Sequence, residues 1–104
     1  MAEAARKVVV TGSIQAKPER IDELLRLSLE HVRRSRAEPG CLSHAVHRDV
    51  EDPLRLVFVE EWADRAALLA HFAVPASRAF VKAAAVCAVG APSMALYEVD
   101  TLKL

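Results

Sequence analysis

The sequence predicts one α+β domain in the order β-α-β-β-α-β, and three observations carry that expectation. The chain has 104 residues, the length of a single domain. Runs rich in Val, Ile and Thr alternate with stretches of helical periodicity. Two of the strand-like runs stand on either side of a short polar link, as in a hairpin.

The elements follow in order. Residues 1–6 read as a short disordered tail, and residues 7–104 as the domain. Lys7 to Gln15 is the first strand. Pro18 and Glu19 suit a first helical turn, where the missing proline N–H costs nothing. Ile21, Leu24, Leu25, Ser28, Val32 and Ser35 then recur at helical spacing, and Glu38-Pro39-Gly40 ends the helix. Cys41 to Asp49 alternates as a strand, Val50 to Pro53 turns, and Arg55 to Trp62 returns with Leu56, Phe58, Glu60 and Trp62 on one face. Asp64 is a suitable N-cap for a helix holding Leu68, Leu69 and Phe72. Pro75 interrupts it, and Ser77 is expected to cap a second segment through Phe80, Val81, Ala84 and Cys87 toward Gly90. A last strand runs from Ser93 to Leu104.

This order is the ferredoxin-like arrangement, a four-stranded antiparallel sheet with its helices on one face. The other face is then uncovered. Val8, Val10, Val57, Val59, Tyr97 and Val99 are candidates for it, although either parity of each strand fits the sequence. A twofold homodimer that packs two such faces together would hide them. The high apolar content, 53%, points the same way.

Composition also excludes. Fourteen basic and fourteen acidic residues cancel to +0, which leaves no field to gather nucleic acid or an anionic membrane. No apolar run is long enough to span a bilayer, and MAEAARKVVV does not read as a signal peptide. Cys41 and Cys87 form no CxxC pair and read as free thiols in a reducing cytoplasm. Cysteine and histidine are scattered along the chain, so no metal site is expected, and without a GxGxxG no nucleotide loop is either.

Several motifs occur in a telling order: Glu38-Pro39-Gly40-Cys41-Leu42, Arg48-Asp49 with Asp52-Pro53, Glu60-Glu61-Trp62, and Ala67-Leu68-Leu69-Ala70-His71-Phe72. Together, across residues 7–100, they resemble the antibiotic-biosynthesis monooxygenase family, whose fold is the dimeric α+β barrel. The resemblance implies a small homodimer that oxidises quinols or polycyclic phenols with O2 and needs no metal or flavin. Other members are haem degraders or isomerases. Haem degradation is not expected, because its pocket uses Asn and this chain has none. Many quinol-oxidising members carry a second His five residues after the helical one, where this chain has Ala76.

Oxygenation of that kind requires a phenol to lose its proton, and a phenol titrates near pH ~10 in water. The site must therefore supply a base, steady the anion and exclude water. His71 is the first candidate base, the alternative being a half-buried histidine that simply bonds a neighbour. His44 is the second, provided that it shares a face with Leu42 and Val46; a structural role is the alternative. His31, three residues before Arg34, reads as solvated, and His47 has the opposite parity to His44.

The substrate-binding candidates are Trp62, Glu60, Arg78, Tyr97 and Phe72. The Trp62 indole can stack on an aromatic ring or pack the core. Glu60, on an apolar strand, needs a partner, for which Arg48 and Arg78 are available. Arg78 can instead hold a phenolate or carboxylate. Tyr97 can donate to a substrate oxygen or lie in a dimer interface. Two further readings stand beside the monooxygenase. One is a non-catalytic dimeric module that binds a small hydrophobic molecule. The other is a cofactor-free isomerase using the same histidines.

Overall fold

The computed structural model describes residues 6–104. Of the expected tail, residues 1–5 lie outside the described residues, while Arg6 is bonded to the Asp100 side chain and the Glu98 carbonyl. Eight elements follow: β1 (Lys7–Gln15), a 3-10 turn (Pro18–Arg20), α1 (Ile21–Ser35), β2 (Cys41–Arg48), β3 (Arg55–Trp62), α2 (Arg65–Ala73), α3 (Pro75–Cys87) and β4 (Ser93–Val99). The strands form one antiparallel sheet in the order β2-β3-β1-β4. This is the ferredoxin-like arrangement.

Two boundaries differ from the sequence reading. β4 ends at Val99, not Leu104, because Val99 pairs with Lys7, the first residue of β1, and the partner strand stops there. Ser77 does not cap α3. The cap is Val74, and Pro75 enters the first turn with its φ already set. Asp64 does cap α2, accepting the Ala67 backbone N–H at 2.8 Å.

Register decides the faces, since paired residues point to the same side. Val8 pairs with Trp62, Val10 with Glu60 and Ile14 with Leu56. These side chains lie beneath the helices and are buried. Val8 and Val10 therefore belong to the covered face, contrary to their expected place on the open one. Val57, Val59, Tyr97 and Val99 do lie on the open face, where Val9 joins them opposite Tyr97. Val59 and Tyr97 are exposed.

A β-bulge at Cys41–Ser43 resets β2. Leu42 is the extra residue and points outward, so the shared face expected for Leu42 and His44 does not exist. Beyond the bulge His44 pairs with Glu60 and Val46 with Phe58, and both face the helices.

The covered face holds two apolar clusters. One contains Phe58 with Ile14, Leu24 and Val32; the other contains Trp62 with Val8, Val10 and Leu68. Glu60 stands on β3 between Phe58 and Trp62, so the polar site occupies the gap between the two clusters.

Candidate functional site

Four elements bring three histidines and two carboxylates to that gap. α1 supplies His31 and the turn after it Glu38; β2 supplies His44, β3 Glu60, and α2 His71. The imidazole centroids lie 5.3 Å apart for His31–His44 and for His31–His71, and 5.6 Å apart for His44–His71. All three histidines are buried. His31 is thus not the solvated residue expected from its charged neighbourhood. Its spacing from Leu24 and Ser28 places it on the buried stripe of α1.

The bonds at two of the rings settle which nitrogen donates and which accepts. His71 Nδ1 lies 2.9 Å from Glu38 Oε1. A carboxylate only accepts, so Nδ1 carries the hydrogen and, when the ring is neutral, Nε2 keeps its lone pair. Arg34 only donates, and its Nη2 stands 2.8 Å from His31 Nδ1. His31 therefore accepts at Nδ1 and, when neutral, holds its hydrogen on Nε2. Burial, with the His44 and His71 rings beside it, lowers the His31 pKa to about 3, so it is neutral at physiological pH.

Glu60 answers to different partners from those expected. Arg48 donates instead to the Pro53 carbonyl, and Arg78 is exposed. The Trp62 indole N–H donates to Glu60 Oε1 at 2.9 Å, and His44 Nε2 lies 3.3 Å from the same oxygen. Burial pushes this carboxyl up, but the His44 ring and the Trp62 N–H together hold it below its ordinary value. The group is thus a buried carboxylate anion. Beyond this Glu60 contact, neither His44 ring nitrogen makes a well-aligned hydrogen bond among the described residues.

A cavity of about 200 Å³ opens against this cluster. Its walls are mostly apolar, with Val10, Phe58, Phe72 and Phe80 prominent, and His31, Glu60, His71 and Ser77 supply polar atoms. Arg78 and Val81 of α3 and Met94 of β4 form its exposed rim. Of the residues singled out in the sequence, His71, Glu60, Phe72 and Arg78 line the cavity. Trp62 and His44 do not; they lie one layer behind, with Trp62 4.6 Å from the His71 ring. Tyr97 is on the open face of the sheet, away from the cavity. Glu38 and His31 are members that the sequence reading missed. Glu38 stood in view in the Glu-Pro-Gly motif, but nothing in the sequence shows that this turn meets α2.

A ferredoxin-like sheet with a mostly apolar cavity against a buried imidazole–carboxylate cluster defines a small α+β domain. The comparisons name its kin: a sequence model described as antibiotic biosynthesis monooxygenase matches residues 7–83, and the chain belongs to that family. The crystal structure of an antibiotic biosynthesis monooxygenase superposes with a TM-score of 0.84 at 34% identity, covering 90% of this chain and 99% of the other. A conserved protein from Methanosarcina mazei Go1 shares the fold, with a TM-score of 0.87 at 23% identity over 93% of this chain and 96% of its own. An uncharacterized protein of Synechocystis sp. is 39% identical over 75 residues, which is 72% of this chain. The chain spans about half the length of that curated relative, 51%.

Proposed function

We propose that the chain is a monooxygenase for a small phenol or quinol, working without metal or flavin and as a homodimer in the cytoplasm. The observation that carries this reading is the mostly apolar cavity lined by His71, whose Nδ1 is taken by Glu38 so that Nε2 is the nitrogen left to act as base. Glu38 fixes that tautomer from behind. In this mechanism Nε2 takes the hydroxyl proton of the bound quinol. The electron-rich anion then reduces O2: one oxygen atom enters the ring and the other leaves as water, so that quinol and O2 become hydroxyquinone and water. The substrate supplies all the electrons.

The cavity narrows the substrate. At about 200 Å³ it falls below the roughly 300–1,000 Å³ of pockets for drug-sized ligands, which favours a single ring over a polycyclic one. Arg78 at the rim is placed to meet an anionic oxygen on the ring. For the dimer, support comes from the open sheet face, where Val9, Val57, Val59, Tyr97 and Val99 gather.

Oxygen consumption on a panel of one-ring quinols tests the reading, with hydroxyquinone followed by absorbance. Turnover that stops under nitrogen supports it. Binding without oxygen uptake would favour the non-catalytic module, and conversion under nitrogen the isomerase.

A further inference from the structure

We propose that His31, His44, His71 and Glu60 together form a binding site for one divalent transition-metal ion of the zinc type. The residues are far apart in sequence, yet one ring nitrogen from each histidine lies within 4.8 Å of the others. Neutral imidazoles with one carboxylate suit Zn2+, whose bonds to nitrogen and oxygen are about 2.0–2.2 Å. Tetrahedral bonds of that length put neighbouring donor atoms roughly 3.3–3.6 Å apart. The His44 Nε2 to Glu60 Oε1 distance is 3.3 Å, one edge of such a tetrahedron. The three histidine nitrogens, now within 4.8 Å of one another, close to that spacing when the ion binds.

Three further observations favour a cation here. His44 is fully buried and makes no well-formed hydrogen bond at either nitrogen among the described residues, with only the Glu60 carboxylate oxygen beside Nε2 at 3.3 Å. Glu38 holds His71 Nδ1 from outside, which turns Nε2 inward; a carboxylate behind a histidine is the usual outer support of a metal ligand. Two carboxylates, Glu38 and Glu60, stand against the rings, which offsets part of the ion's charge, while the Arg34 guanidinium adds one positive charge at His31.

Arg34 opposes it. His31 must exchange its Nε2 proton for one on Nδ1 before Nε2 can bind a metal, and the Arg34 bond to Nδ1 is then given up. Arg34 retains its bond to the Ala76 carbonyl at 3.2 Å. The ion also occupies the His71 lone pair that serves as base in the monooxygenase reading. Metal binding and proton acceptance therefore exclude each other, and Zn2+ inhibits turnover.

The test uses the whole chain, stripped with a chelator and titrated with ZnCl2 by calorimetry. One Zn2+ per chain at micromolar or tighter affinity is expected, with the visible absorption of four-coordinate Co2+ when cobalt is substituted. His44→Ala should abolish the site, while exposed His47→Ala should leave it intact. Glu38→Gln, which keeps the fold's shape, should weaken binding about 10–100-fold. Arg34→Leu should tighten it several-fold. No stoichiometric Zn2+ binding, or equal affinity in the His44→Ala and His47→Ala chains, overturns the proposal. Because the readout is Zn2+ alone, its failure leaves the oxygen chemistry to its own assay.

Discussion

The His31 ring lies flat on Phe80, centroids 4.2 Å apart and planes 5° from parallel. Burial, followed by the neighbouring His44 and His71 rings, holds this imidazole neutral and lowers its pKa to about 3. The unfolded chain binds a proton there near pH ~6.5, so between those values the unfolded state holds more protons and stability rises with pH. The contribution is fully present above pH ~6.5 and is lost as the pH falls toward 3, by at most about 1.4 kcal/mol per pH unit. Thermal unfolding from pH 7 to pH 4 should show this slope, and His31→Phe should flatten it. An unchanged slope in that variant would assign the acid sensitivity to another group.

Turnover should depend on the His71–Glu38 couple. His71→Ala should lower the rate of quinol oxidation by roughly 10²–10⁴-fold. Glu38→Gln should cost less and chiefly in kcat, because it releases the ring tautomer without removing the base. His44→Ala, behind the cavity wall, should cost less than His71→Ala. The opposite ranking of the two histidines would exchange their roles.

The open sheet face should hold two copies together. The wild-type chain should sediment as a dimer at micromolar concentration, and Val59→Arg, which places a charge opposite Thr11 in the middle of that face, as a monomer. A wild-type monomer at that concentration removes the dimer.

Gly40 is the tightest of the three glycines. Its φ is +79°, and an added Cβ would stand 2.5 Å from the Ala67 Cβ of α2. Gly40→Ala should destabilise by about 2 kcal/mol or more, combining the left-handed penalty with the clash. Adding Ala67→Gly should recover only the steric part, which a double-mutant cycle by denaturant titration measures.

Much of the fold was legible because periodicity reports it directly: the strands and helices follow from spacing, and Asp64 from its capping chemistry. The faces were less so. The Leu42 bulge breaks alternation with no Gly or Pro among its own residues, Cys41 to Ser43, and Val8 and Val10 fit either side until their partners on β3 are known. The site was half legible. His71 and Glu60 stand out as polar residues among apolar ones. The approach of Glu38 to His71 and of His31 to both other rings depends on how α1 and α2 pack, and no local pattern encodes that.

The sheet is one strand wider than the helical layer laid across it, which leaves Met94 and Leu96 of β4 58% and 49% exposed on the face the helices otherwise cover. The cavity lies along that shortfall, bounded by α3 on one side and β4 on the other. Its wall is therefore split between a half shared with the buried core and a half open to solvent. Changes at Val81 or Met94 reshape the opening without touching the packing around Leu24 or Trp62, so ligand preference can drift through substitutions that leave folding unaffected.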